Sequence, residues 1–383
     1  MDKRNFDNPL RQQCMSLPEL CDAQLEGVKR GLAGIPADVL RKIRRIMITG
    51  CGDSYVAAMA AIPAFEKFGG RFGNTFTYHR AIDLCRFTSF ENVSGENTLV
   101  IGVSCSGGPA RIQEALRRAN HYGCVSLALT NNPESPAAKE AKYRLIVNTP
   151  AFPNANPGLR NYYASLTGLY LLAAKFGEVT GCSPAGTLDD LCKAIQTYTG
   201  AWAPILEDVD DRMFALAQEW KDFQTFDYIG DGIQFASAFF MGAKVVEVVG
   251  KMTATDDAED WCHVGFFQKN PSRIGTVVVA DRTANDRTRV GETVNQALGI
   301  GRPTLFIANG SEEDFGIHGS VTLCRVPDAP KGYEFLLPML NYVPGAILAG
   351  YLSTLTGEPF FRGGGVWSQP GNNTIRTSSI QVV

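Results

Sequence analysis

Ser104-Cys-Ser-Gly-Gly108 sets two hydroxyls, a thiol and two glycines just ahead of Pro109 and a helix-like stretch, Ala110–Tyr122. Free N–H groups at a helix start, joined by hydroxyl donors, form a cradle for a phosphate-like anion. The plainer reading is a serine-rich turn with proline opening the helix. A second cradle is Gly50-Cys-Gly52-Asp53-Ser54. There the apolar run Ile46-Met-Ile48 ends in glycine, and Asp53-Ser54 has the look of a helix N-cap. Asp227-Tyr-Ile-Gly230-Asp-Gly-Ile-Gln-Phe-Ala-Ser237 repeats that grammar in the later half. Groups able to move protons come next. Glu247 lies in a helix whose Ala243, Val245, Val246, Val248 and Val249 are apolar. One side of it should be desolvated, which raises a carboxyl pKa towards the range of a general base. Its plainer reading is an ion pair with Lys244 or Lys251 on the same helix face. His263 follows a Thr/Asp-rich loop (253–257) and Glu259-Asp260, surroundings in which an imidazole titrates near neutral pH. His79, His121 and His318 have no such context and read as structural.

Such groups need a rigid frame. Residues 1–44 read mostly as helix, with Ser16-Leu-Pro-Glu19 as a helix start. Strand-like runs follow at 46–48, Thr75–Ala81, Thr98–Ser104, Val125–Thr130 and Tyr143–Asn148, with helical stretches between them. The continuous apolar character of 98–104 suits a parallel strand covered on both faces. After a Pro/Asn-rich loop (149–158), Arg160 heads a long apolar helix ending near Phe176. Gly181–Thr187 marks a composition shift, and helices at 188–199 and 204–221 lead to a second round. That round has strands 227–230, 275–280, 304–308 and 322–326, with helices 234–249, 289–299 and 335–355. The alternation predicts an α/β chain of two doubly wound parallel-sheet domains in tandem. The expected layout is a helical segment 1–44, a first domain 45–180, a linker 181–221, a second domain 222–360 and an arm 361–383 over a site or partner.

Composition narrows the function classes. The chain has 383 residues, 45% hydrophobic and 20% charged, enough for two globular cores. A net charge of −3 without Lys/Arg runs argues against nucleic acid as a partner. Ten cysteines without a C-x-x-C pair read as reduced thiols, and no zinc-like ligand spacing is present, so no metal is expected. The N-terminus has no signal-peptide core, and the apolar stretch 164–176 is too short to span a bilayer. A cytoplasmic protein without a membrane partner is the expectation. Gly50-x-Gly52 lacks the third glycine and the acidic ribose partner of a dinucleotide fold, so no cofactor is expected and a dehydrogenase is disfavoured.

These motifs, in this order and spacing, resemble the double sugar isomerase (SIS) family. Members include the isomerase half of glucosamine-6-phosphate synthase, bacterial phosphosugar isomerases and fructosamine-6-phosphate deglycases. The resemblance covers roughly 44–380 and rests on Gly50–Tyr55, Ser104–Gly108, the Arg160–Phe176 helix, Gly230–Phe235, Gly242–Glu247 and His263. It implies that Ser104, Cys105 and Ser106 hold a substrate phosphate, helped by Ser54 and the N–H groups of Gly107 and Gly108, with Gly52 in the first turn. Asp53 departs from a frequent threonine, and a carboxylate there would instead meet a substrate hydroxyl or amine. Arg160 stands where a lysine is frequent and keeps positive charge nearby. The resemblance further implies proton transfer through an enediol or enolamine, with Glu247 as base at C1/C2 and His263 as acid. It also implies a homodimer in which His263 reaches the neighbouring subunit. No glutaminase domain is expected before Ile46. The synthase's tail lysine has no counterpart in Asn373–Ile380, where Arg376 is the nearest cation and cannot form an imine. The ligand expected is therefore a phosphorylated sugar or sugar–amine adduct, for an isomerase or deglycase. The rival reading is a non-catalytic sugar-phosphate-binding regulator.

Overall fold

The computed structural model describes residues 2–71, 73–90, 94–362 and 380–383. Three helices, α1 (Pro9–Met15), α2 (Leu17–Leu32) and α3 (Ala37–Lys42), precede the first sheet. There follow β1 (Arg45–Gly50), α4 (Asp53–Gly69), β2 (Thr75–Arg80), α5 (Ala81–Arg86), β3 (Thr98–Val103), α6 (Ala110–His121), β4 (Val125–Thr130), α7 (Pro136–Glu140) and β5 (Tyr143–Ile146). Helices α8 (Leu159–Thr180), α9 (Thr187–Trp202) and α10 (Leu206–Trp220) lead to the second sheet. It is built from β6 (Thr225–Gly230), α11 (Gln234–Val249), β7 (Met252–Asp256), α12 (Ala258–His263), β8 (Ile274–Ala280), α13 (Arg287–Gly299), β9 (Thr304–Ala308) and β10 (Thr322–Arg325), and α14 (Val343–Thr356) closes the series.

Cα packing divides the chain into two units. The first holds Glu19–Ala151, Arg160–Gln196 and residues 380–383; the second holds residues 2–18, Phe152–Leu159 and residues 197–362. Each has one five-stranded parallel sheet, ordered β2-β1-β3-β4-β5 in the first and β7-β6-β8-β9-β10 in the second. The two orders are the same, so the chain repeats one architecture. In each sheet the chain reverses direction beside the first strand, at β1/β3 and at β6/β8. Ligands of open α/β sheets bind at such a switch point, beyond the carboxyl ends of the strands.

The repeat extends to the turns. Gly52 and Gly232 follow β1 and β6 with φ of +54° and +51°, a backbone region that favours glycine. The interior strands are apolar because helices cover both faces: β3 and β8 are buried along their whole length. In the first unit Val100, Met47 and Ala115 share a cluster beneath Leu84 and Phe90. In the second, Ile229, Val278 and Phe306 pack with Trp261 and Phe315.

Several sequence expectations change. Residues 253–257 are not a loop: Met252–Asp256 is the parallel edge strand β7, half exposed and alternating, so it lacks the apolar run that marks an interior strand. What precedes His263 is thus a strand and the short helix α12, of which His263 is the last residue. The helix expected at 335–355 is a 3-10 segment, Glu334–Met339, followed by α14, because Pro338 cannot continue an α-helical hydrogen-bond ladder. Glu334–Thr356 is also long and apolar enough to cross a bilayer by length and composition, which the reading of 164–176 overlooked; its most apolar 18-residue window is wholly buried. Of the expected arm 361–383, residues 363–379, Arg376 among them, lie outside the described residues.

Candidate functional site

In the first unit, both cradles end strands at the β1/β3 switch point. The turn after β1 departs from expectation: Gly52 is the N-cap residue, it makes no side-chain cap, and Asp53 is already the first helical residue. Asp53 thus places an acidic charge in the first turn, which the helix dipole favours. It also faces Tyr162 of α8, whose buried hydroxyl is pushed well above the ordinary tyrosine value by burial and further by the Asp53 charge.

The loop after β3 is internally knit. Ser104 is buried, and its Oγ accepts the Gly107 N–H at 3.0 Å; Ser106 Oγ accepts the Gly108 N–H at 3.3 Å. An anion entering this loop therefore competes with hydroxyls for those two amides. Ser106 itself is exposed and Cys105 is partly so. Gly107 has φ of +62°, and a Cβ there would lie 2.0 Å from Ser135 Oγ, so only glycine fits the turn.

A residue the sequence reading passed over organises this edge. Asn131, one residue past β4, uses all four of its side-chain hydrogen-bonding positions. Nδ2 donates to Cys105 Sγ at 3.1 Å and to Asn161 Oδ1 at 2.9 Å; Oδ1 accepts from Thr149 N and Oγ1, each at 3.1 Å. Its backbone N–H donates to the Cys105 carbonyl at 2.9 Å. Asn131 so ties the Ser104–Gly108 loop to the first turn of α8, next to Arg160. The only local signal was its place at the carboxyl end of an interior strand. Burial pushes the Cys105 thiol up and Asn131 opposes it. Arg160 is itself buried, and burial lowers its guanidinium below the ordinary arginine value while Glu19 pulls it back.

Glu247 and His263 lie in the second unit. Glu247 Oε2 accepts from Lys244 Nζ at 2.6 Å, so the ion pair weighed for it is present, with Lys244 rather than Lys251. The Lys244 side chain has 0% exposure and Glu247 36%. Lys244 Nζ also sits 4.5 Å from the centroid of the Phe240 ring. Such a buried ammonium needs an anion beside it. Lys251 turns instead to the Lys221 carbonyl. His263 Nε2 meets Glu259 Oε1 at 2.9 Å, and Glu259 Oε2 meets Arg289 Nε at 2.6 Å. The hydrogen bond with His263, then the charge of Arg289, lower Glu259 below the ordinary carboxyl value. His263, Val264 and Phe267 are all strongly exposed.

Acidic groups gather at the switch point of the second sheet. Asp231 Oδ1 accepts the Ala258 N–H at 2.6 Å. Burial pushes its carboxyl up to about 7, aided by a hydrogen bond and charge from Asp286 and the charge of Asp257, against the Ala258 amide. Asp256, Asp257 and Asp260 bring carboxylate oxygens within 4.8 Å of one another, a grouping that linear spacing did not signal. Asp257 already caps α12, accepting from the Asp260 N–H at 2.8 Å. Burial, then the charges of Asp257, Asp260 and Asp227, raise Asp256.

Residues 39–175, spanning β1 to most of α8, match the SIS domain family. The chain contains a SIS domain. It is 24% identical over 329 residues to the isomerizing glutamine–fructose-6-phosphate aminotransferase of Methanosarcina mazei, covering 82% of this chain and 48% of that protein. It is 26% identical over 372 residues to the Arabidopsis thaliana counterpart, covering 94% and 53%. The chain spans about half the length of these relatives. Among solved structures, the C-terminal domain of glucosamine-fructose-6-phosphate aminotransferase from Francisella tularensis superposes with a TM-score of 0.79 at 15% identity, covering 94% of this chain and 99% of that one. Tagatose-6-phosphate ketose/aldose isomerase from Escherichia coli gives 0.70 at 16% identity, covering 94% and 96%. These likenesses show the fold, two tandem SIS-type α/β domains.

Proposed function

We propose that this SIS chain is a phosphosugar enzyme, an isomerase or deglycase acting on an amino-sugar or fructosamine 6-phosphate. The observation that carries the reading is the accessibility of Glu247: although paired with the sealed Lys244 ammonium at 2.6 Å, its side chain keeps 36% exposure. The ammonium favours the charged carboxylate, the form that accepts a proton, and the exposure leaves it open to a ligand. In the reaction proposed, Glu247 takes a proton from the carbon beside the carbonyl or imine, and an enediol or enolamine forms. Returning that proton to the neighbouring carbon completes isomerisation; water added at the imine carbon, with loss of the amine, completes deglycation. His263 exchanges the proton on the substrate oxygen or nitrogen, steadied by Glu259.

The Ser104–Gly108 loop, with Ser54 and the Gly52 turn, is the proposed phosphate site, and Arg160 adds positive potential nearby. Asp53 is proposed to meet a substrate hydroxyl or amine. The names of the relatives support the substrate class, one acting on fructose 6-phosphate and one on tagatose 6-phosphate. The exposed apolar residues Val264 and Phe267 beside His263 support a homodimer that buries this segment.

The test is a thermal-shift panel of hexose, hexosamine and fructosamine 6-phosphates, followed by turnover assays on Glu247→Gln. A ligand bound by the folded chain raises the melting temperature by mass action. The reading expects a shift with at least one of these phosphates and turnover lost in the variant while binding persists. Binding without turnover in the native protein would instead mark a regulator.

A further inference from the structure

The helix that carries His263 is too short to sustain itself in water: α12 has 6 residues and runs into the single turn Gly265–Phe267. A buried ion pair holds it. Asp227 on the interior strand β6 and Arg302, two residues ahead of β9, have side-chain exposures of 2% and 0%. Arg302 Nη1 donates to Asp227 Oδ2 at 2.7 Å, and Nη2 donates to the Gly265 carbonyl at 2.9 Å. Asp227 also accepts from Trp261 Nε1 at 3.0 Å and Gln268 Nε2 at 3.1 Å. The guanidinium lies 5.1 Å from the centroid of the Trp261 ring. Residues 261, 265 and 268 thus converge on one ion pair, while His263 and Val264 between them face outward.

We propose that the Asp227–Arg302 pair is the positioning device of His263, fixing residues 258–268 so that the imidazole is presented in one orientation. The pair acts through Trp261, Gly265 and Gln268. Charge burial of this kind is a weak source of stability, because well-packed apolar side chains often replace such a pair without loss. What apolar side chains cannot supply is direction. A planar guanidinium ties a strand carboxylate to the Gly265 carbonyl, and the carboxylate in turn holds one donor from α12 and one from the segment after it. The proposal rests on reading His263 as the acid of the proposed reaction.

The experiment combines amide hydrogen exchange with steady-state kinetics on the full chain. The variants are Asp227→Leu with Arg302→Met, which removes both charges together, and Trp261→Phe, which removes the indole donor along with part of a buried ring. Exchange across 258–268 should quicken about tenfold or more in the double variant, the loss of one directed hydrogen bond or more, with the rest of the unit unchanged. At the same time kcat should fall about 100-fold, as for a catalytic group misplaced by an ångström, with KM nearly unchanged. Trp261→Phe should move both readouts the same way by less; it carries the comparison alone if the double variant does not fold. Unchanged exchange at 258–268, or quickening spread over the whole unit, overturns the proposal, as does a local loosening that leaves kcat intact. If the native protein turns over none of the sugar phosphates, the reading of the reaction has failed. Exchange then decides the fastening alone: local quickening upholds it and its absence overturns it.

Discussion

Replacing Gly107 by alanine should cripple the Ser104–Gly108 loop, whereas the same change at its neighbour Gly108 should not. At 107 the backbone has φ of +62°, and the new methyl would lie 2.0 Å from Ser135 Oγ and 2.4 Å from Ser135 Cβ. The strained backbone costs about 1–3 kcal/mol. The collision must also move Ser135, whose Oγ caps α7 by accepting the Ala138 N–H at 3.2 Å. Losing such a cap costs about 0.5–2 kcal/mol. Together about 2–5 kcal/mol is expected, a fall of roughly 5–15 °C in the melting temperature of the first unit. At 108 the backbone is not left-handed and the nearest atom to a new methyl is Ser106 Oγ at 3.6 Å, ordinary contact. Gly108→Ala should change stability by less than about 1 kcal/mol. The assay is thermal unfolding of both variants with and without the sugar phosphate that best stabilises the native chain. Gly107→Ala should lose most of that ligand's stabilisation, and Gly108→Ala should keep the larger part of it. Equal behaviour of the two variants would refute the geometry assigned to this loop.

Asp231 makes stability depend on pH. Its carboxyl is raised from 3.8 to about 7, so the folded chain keeps a proton that the unfolded chain releases. The stability it contributes is therefore full below about pH 4, declines as pH rises to about 7 and levels off above. Melting temperatures of the native protein and Asp231→Asn between pH 4 and pH 9 should converge at the acid end, with the variant the more stable at the alkaline end. Asn131→Ala removes four side-chain hydrogen bonds and should cost about 1–3 kcal/mol in chemical denaturation. It should also weaken sugar-phosphate binding by calorimetry, since Cys105 loses its tie to α8. An unchanged denaturation midpoint in Asn131→Ala would remove Asn131 from the account.

The sequence made the frame legible where one local rule sufficed. The apolar runs of β1, β3 and β4 announce strands covered on both faces, and the paired glycine turns at 50–52 and 230–232 expose the repeat. Edges and pairs were harder. Strand β7 escaped because its Thr and Asp residues alternate at a half-exposed edge, the pattern of a polar loop when read locally. Asp53 was taken for a cap because its residue type is common there, yet Gly52 with its positive φ holds the position. The Lys244–Glu247 pair was visible at helical spacing, but burial of the lysine was not, since that depends on what packs over α11. Asp227 and Arg302 are 75 residues apart, and nothing local marks two charges that meet in a core. Asn131 looked like the end of a strand, and its hub role needs Thr149 and Asn161 brought to it by the fold.

The central claim is that Glu247 takes a proton from a carbon of a sugar phosphate. Incubating the native protein with the phosphate panel in D2O, and following carbon-bound deuterium by NMR, tests that step whichever product forms. The account predicts deuterium at C1 or C2 of at least one 6-phosphate, with the rate falling about 1,000-fold or more in Glu247→Gln, within the range expected of a catalytic base. Absence of exchange in every sugar phosphate tried, or exchange that persists at the native rate in Glu247→Gln, would contradict it.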